Sequence, residues 1–142
     1  MKGGAEPHHP NTIDNDCEDG SSGTFHVDES IDRLLVTAAS GNLTHGASAT
    51  ITVTVWAGRI YTSDYLDLFY AINPAQPKWV LIKTLRPTKT GAQTLSATYT
   101  IPKQGGAQAA VRAQFRYLGS AAFSACVIGG YNDRDDLVFA VQ

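Results

Sequence analysis

From Ile31 onward, hydrophobic and polar residues alternate along most of the chain, which is the pattern of β-strands. The clearest example is residues 49–56, where Ile51, Val53 and Val55 share one face and threonines occupy the other. Comparable stretches, bounded by Gly, Pro and Asn, are residues 31–37, 65–72, 79–85, 95–101, 110–117 and 137–141. No helical pattern of useful length is present. The sequence therefore predicts an all-β antiparallel sandwich, jelly-roll-like, with seven to eight strands.

The first 23 residues differ from the rest of the chain because they are rich in Gly, Pro, Asn and Asp and lack an apolar period. Residues 1–23 are predicted to be an irregular N-terminal arm that is anchored, if anywhere, at Cys17. Residues 24–142 are predicted to be a single β-sandwich domain, a size that suits one hydrophobic core.

The predicted first and last strands have similar sequences, since an acidic turn precedes each apolar stretch. We expect residues 31–37 and 137–141 to lie side by side, which brings two carboxylate clusters together at one end of a sheet. In the predicted strand 110–117, the polar residues Arg112, Gln114 and Arg116 alternate with apolar ones, and we expect them to face solvent.

Clusters of carboxylates of this kind are candidates for calcium, which prefers six to eight oxygen ligands in flexible geometry. The metal-ligand candidates are Asp14, Asp16, Asp19, Asp28, Glu29, Asn132, Asp133, Asp135 and Asp136. The alternative is that they are solvated turn residues, because Asp and Asn side chains bond readily to nearby backbone.

The overall composition excludes several classes of partner. A net charge of −2 provides no basic surface for nucleic acid, and no apolar run is long enough for a membrane span. The N-terminal residues lack the apolar core of a signal peptide, so the chain is either cytosolic or a domain of a longer secreted protein.

Motifs of the common catalytic and phosphate-binding sites are missing from the sequence, including the Gly-x-Ser-x-Gly elbow and His-Glu-x-x-His. The chain is therefore predicted not to be an enzyme. Its aromatic residues suggest binding instead, because exposed rings beside polar groups can stack on sugars, although most of the rings are expected in the core. The predicted ligand-binding patch consists of Arg59, Tyr61, Asp64 and Tyr65.

Cys17 and Cys126 are the two cysteines of the chain. On composition alone they are equally compatible with a disulfide and with two unrelated buried thiols.

Four stretches resemble the non-catalytic C-terminal domain of secreted bacterial metalloproteases and aminopeptidases. They are DESIDR at 28–33, DYLDLFYA at 64–71, GAQTLSATYT at 91–100 and YNDRDDLVF at 131–139, and the resemblance extends over about residues 14–142. It implies a secreted accessory β-sandwich downstream of a peptidase domain. It also implies a Cys17–Cys126 disulfide, since the extracellular compartment is oxidising, and it assigns no catalytic residue.

The predicted function is therefore a calcium-stabilised accessory module that holds a peptidase or other hydrolase, joined to it in the same polypeptide, on a protein or glycan surface. Two alternatives stay open. One is a free-standing lectin-like carbohydrate-binding protein, and the other is a structural or assembly protein.

Overall fold

The structure, a computed structural model, describes residues 11–118 and 124–142. Seven strands occur in these residues: β1 (Ser30–Ala38), β2 (Ser48–Ala57), β3 (Asp64–Ala71), β4 (Val80–Leu85), β5 (Gly91–Thr100), β6 (Gln108–Tyr117) and β7 (Asp133–Ala140). They form a three-stranded sheet in the order β1-β2-β5 and a four-stranded sheet in the order β4-β3-β6-β7. All neighbours are antiparallel, so the predicted all-β sandwich is confirmed.

The core lies between the two sheets and follows the alternation in the sequence. In β2, Ile51, Val53 and Val55 are fully buried, while the threonines between them are partly exposed. The four-stranded sheet contributes Leu66 and Leu68 of β3, with further apolar residues of β6, to the same cluster. Each buried aliphatic side chain contributes about 1.5–3 kcal/mol to folding, which makes this cluster the main source of stability.

The prediction that Arg112, Gln114 and Arg116 face solvent is wrong. All three are buried, with 1%, 0% and 1% of their surface exposed. They lie on the face of β6 that points away from the core, but other parts of the chain cover that face. Gln114 accepts a hydrogen bond from the Val127 backbone N–H at 2.8 Å, and Arg112 donates one to the Ala125 carbonyl at 3.1 Å. The sheet is thus buried on both faces at β6.

The prediction that the first and last strands pair is also wrong, because β1 and β7 belong to different sheets. Their acidic ends nevertheless meet across the sandwich. The Asp133 carboxylate accepts a hydrogen bond of 2.5 Å from the backbone N–H of Ile31. The apolar residues of each strand face the common core, and this explains why their sequences look alike without pairing.

The N-terminal arm lies along the free edge of β7. The backbone N–H of Arg134 donates to the Asp19 carboxylate at 3.0 Å, and the N–H of Asp136 donates to the Asn11 carbonyl at 2.9 Å. These contacts occupy donors that would otherwise be open to pairing with another chain. Residues 1–10 of the predicted arm lie outside the described residues.

The Cys17–Cys126 disulfide is formed and ties the arm to the segment before β7. The arm also passes close to the loop at Gly130. A Cβ atom at Gly20 would lie 2.3 Å from the Gly130 carbonyl carbon, so only glycine fits at that position. The disulfide and the hydrogen bonds together fix the arm as part of the folded domain.

Candidate functional site

One end of the sandwich collects most of the buried acidic groups. Strands β1, β3 and β7 begin at this end, and β2 and β6 end there, because neighbouring strands run antiparallel. The residues that precede or open the strands there include Glu29, Asp64 and Asp133, which are 4%, 0% and 0% exposed. Because Asp and Glu are rarely buried without a partner, each of these side chains needs a compensating contact.

Glu29 and Asp64 form a buried pair of carboxyl groups in hydrogen-bond contact. Neither oxygen of Asp64 accepts a hydrogen bond of standard geometry from a donor in the described residues. The polar groups that act on it at short range are the Glu29 carboxyl and the backbone N–H of Gly58. A Cβ atom at Gly58 would lie 2.9 Å from Glu29 Oε1, so the absence of a side chain at Gly58 makes room for the pair.

The pKa of Asp64 is raised to about 8, mainly by burial and then by the hydrogen bond with Glu29 and the negative charge of Glu29. Burial also raises the pKa of Glu29, against hydrogen bonds that favour its charged form. Two neighbouring carboxylates that are both buried repel each other strongly when both are ionised. Both pKa values therefore shift toward the protonated form, and the pair binds protons more readily than two exposed carboxyl groups.

A groove of about 380 Å³ opens beside this pair. It is lined by Val27, Asp28, Glu29, Arg59, Ile60, Tyr117 and Tyr131. The rings of Tyr117 and Tyr131 meet edge to face, with 5.8 Å between their centroids. Tyr131 is 42% exposed, so one ring of the pair is available to a ligand. The groove therefore combines a ring, carboxyl groups and a guanidinium, which is a suitable set for a polar ligand with an apolar face.

The residues predicted as a sugar-binding patch divide between this groove and the interior. Arg59 lines the groove, whereas Asp64 is fully buried and interacts with Glu29. Tyr61 is partly buried and packs against the core. The ring of Tyr65 lies under two guanidinium groups, with Arg86 at 4.5 Å and Arg116 at 4.6 Å from its centroid. Tyr61 and Tyr65 are thus held by contacts within the fold.

Tyr131 was absent from the predicted patch, although it lines the groove. The signal that points to it is its position between Gly129-Gly130 and Asn132-Asp133, since an aromatic residue within a turn has little core to enter. The sequence does not show that Tyr131 and Arg59 line the same groove, because this depends on contacts between distant parts of the chain.

The predicted calcium ligands are distributed over several places. Asp28 accepts a hydrogen bond from the Thr24 N–H at 2.9 Å, and Asn132 accepts one from the Tyr117 N–H at 3.1 Å. Asp135 accepts one from Asn11 at 2.7 Å, and burial is the main cause that raises its pKa to about 7. Asp14 is exposed in a short 3₁₀ turn. In the described part of the chain, no group of three or more Asp, Glu, His or Cys side chains has an arrangement that could hold a metal ion.

Arginine pairs with two of these carboxylates, Asp16 and Asp136. Arg112 contacts both oxygens of Asp136, at 2.7 and 2.8 Å, and one oxygen of Asp16 at 2.6 Å. Burial alone would lower the pKa of Arg112, but the hydrogen bonds and charges of Asp136 and Asp16 raise it. Arg116 pairs in the same way with Asp67 at 2.6 Å. Calcium binding to the remaining acidic groups stays a prediction.

None of the helices in residues 11–118 and 124–142 is long and apolar enough to cross a membrane. No known family model matches the chain, and no curated protein matches it in sequence. The two-sheet fold that the resemblance to protease C-terminal domains implies is confirmed, whereas membership of that family stays a prediction.

Proposed function

We propose that this chain is a non-catalytic binding module that acts outside the cell and holds an attached hydrolase on a glycan surface. The groove beside Glu29 and Asp64 is the proposed binding site. Its ligand is a segment of a polysaccharide chain rather than a buried small molecule, because the groove is open and shallow enough for Tyr131 to be 42% exposed.

The observation that supports this function is the combination of groups in the groove. An exposed ring offers its flat face to the apolar face of a sugar, and Asp28, Glu29 and Arg59 offer hydrogen-bond partners for hydroxyl groups. Several of the buried polar groups elsewhere, among them Arg112 and Asp136, are engaged with each other. The groove is therefore a place in the described part of the chain where polar and aromatic groups face solvent together.

The disulfide supports an extracellular location. Cys17 and Cys126 are 109 positions apart in the sequence and are bonded, and such bonds persist mainly in oxidising compartments. Secretion with a peptidase or other hydrolase domain is consistent with this chemistry and with the resemblance seen in the sequence.

Co-sedimentation with insoluble polysaccharides, followed by a glycan array, tests the proposal. We expect the protein to bind to at least one polysaccharide and Tyr131→Ala to lose most of that binding. Ile72→Ala is the matched control, because Ile72 is also 42% exposed and does not line the groove. No binding to any glycan, or equal loss in both variants, would contradict the proposal.

Calcium is the second part of the proposal and has its own test. A site that binds calcium only in the folded state adds about 2.7 kcal/mol of stability at an ion concentration a hundred times its Kd. We expect the melting temperature of the non-reduced protein to fall when a chelator replaces calcium. An unchanged melting curve rejects calcium and leaves arginine as the counter-charge for Asp16 and Asp136.

A further inference from the structure

We propose that the groove selects glycans that carry a free amine, that is, amino sugars without an N-acetyl group. This inference rests on the proposed glycan-binding function and specifies its ligand. The ammonium group of the sugar would bind at Glu29, while Tyr131 contacts the sugar ring.

The charges in the groove favour a cation. Asp28 and Glu29 line it, the buried Asp64 interacts with Glu29, and Arg59 is the one cation among the described residues that line it. Arg59 is exposed, so water screens its charge, whereas Glu29 is only 4% exposed. A cation that reaches Glu29 therefore meets a poorly screened carboxyl group, where electrostatic attraction is stronger than at the surface.

The buried member of the carboxyl pair also lacks well-placed hydrogen-bond donors. Asp64 is fully buried, and neither of its oxygens accepts a hydrogen bond of standard geometry from the described residues. A buried acceptor without a donor is costly, and more so when it is charged. An ammonium group brings three donors and a positive charge. It suits Glu29, the member of the pair that lines the groove, better than a hydroxyl group, which brings one donor and no charge.

The aromatic side of the groove favours the same group. A ligand cation within about 6 Å of a tyrosine ring face is attracted by the ring, and carboxylates beside the ring add to that attraction. Tyr131 is held edge to face against Tyr117, which fixes its orientation beside Glu29 in the groove. An N-acetyl group would remove the charge and place a methyl group against the carboxyls.

The test compares two soluble oligosaccharides of the same length, β-linked glucosamine and β-linked N-acetylglucosamine, by titration calorimetry. The pH is chosen so that the sugar amine is protonated. We expect the amine form to bind at least about tenfold more tightly, which corresponds to about 1.4 kcal/mol, because it adds a charge-assisted hydrogen bond to Glu29. We expect Glu29→Gln to abolish this preference, and Glu18→Gln, a change at an exposed acidic residue of the arm, to retain it.

A salt titration of the unmodified protein keeps the inference testable if Glu29→Gln does not fold. The preference for the amine form should shrink as the salt concentration rises, because the attraction is electrostatic. Equal binding of both oligosaccharides overturns this inference and leaves the proposed function intact. If the protein binds neither oligosaccharide and no other glycan, both the inference and the proposed function are overturned. Binding of a lysine-rich peptide instead assigns the groove to protein surfaces and overturns both as well.

Discussion

The Asp133 carboxylate at the start of β7 accepts a 2.5 Å hydrogen bond from the backbone N–H of Ile31 in β1. The two residues are 102 positions apart and belong to different sheets. Both are buried, so this bond joins the first and last strands in an environment without competing water. It also gives a structural role to the aspartate that opens β7.

Replacement of Asp133 by alanine is expected to destabilise the protein by about 1–3 kcal/mol, because the buried N–H of Ile31 loses its acceptor. Urea unfolding at neutral pH measures the change. Glu18→Ala is the control, since Glu18 is exposed, and changes at exposed positions usually stay within about 0.5 kcal/mol. Equal stability of the two variants would show that the Ile31–Asp133 bond contributes nothing.

Arg112 is expected to be far more important for stability than its position in an alternating strand suggests. It contacts Asp16, Asp136 and the Ala125 carbonyl and lies 4.4 Å from the ring centroid of Trp79. Arg112→Ala leaves the Asp136 carboxylate buried without its counter-charge, which typically costs about 3–5 kcal/mol. Chemical denaturation checks this value.

The matched control for Arg112→Ala is Arg33→Ala, because Arg33 is exposed on β1. We expect this control to unfold at nearly the same denaturant concentration as the unmodified protein. A similar loss in both variants would mean that the contacts of Arg112 with the carboxylates do not stabilise the fold.

Reduction of the Cys17–Cys126 disulfide is expected to lower stability by about 2–5 kcal/mol, because the bond closes a long loop in the unfolded chain. The loss should begin at the arm. Hydrogen exchange of the Arg134 and Asp136 amides should accelerate on reduction, since Asp19 and Asn11 accept their hydrogen bonds.

The Ile51 amide in the centre of β2 provides the internal control for this exchange experiment, because β2 lies between β1 and β5. It should retain its protection in the reduced protein. Unchanged exchange at Arg134 and Asp136 would show that hydrogen bonds alone hold the arm in place.

The sequence predicted the strands well because their period is a local property. In β2 the alternation of Ile51, Val53 and Val55 with threonines is sufficient to predict both the strand and its buried face, since one face enters the core and the other stays partly exposed. The same alternation in β6 gave a wrong prediction at Arg112. Alternation distinguishes two faces but does not show what covers the second one, and here the partner Asp16 is 96 positions away.

The candidate site shows the same limit. Glu29 and Asp64 were assigned to different sites, one for calcium and one for sugars, because each belongs to its own local cluster. Their contact depends on how β1 and β3 are placed in opposite sheets, which no local pattern contains. Gly58 is the one local sign of this contact in the sequence, because a side chain there would collide with Glu29. The structure is needed to see this, since it shows that Glu29 lies against Gly58.

The Glu29–Asp64 pair is expected to make stability depend on pH. The pKa of Asp64 rises from an ordinary value of 3.8 to about 8 on folding, through burial and the neighbouring Glu29. Between these pH values the folded state binds more protons than the unfolded state, so stability falls as the pH rises. The contribution of Asp64 to the free energy of unfolding is at its highest below about pH 4 and has been lost above about pH 8. Between these values the free energy of unfolding falls by no more than roughly 1.4 kcal/mol per pH unit.

Unfolding free energies of the protein and of Asp64→Asn at several pH values between 5 and 9 check this expectation. The asparagine cannot ionise, so the variant should lose less stability than the unmodified protein as the pH rises, and the two curves should converge toward acidic pH. Asp135, whose pKa burial raises to about 7, adds a slope of the same sign to both curves and cancels in their difference. Parallel curves would mean that Asp64 does not take up a proton on folding, and the carboxyl pair would then have to be ionised and compensated by another group.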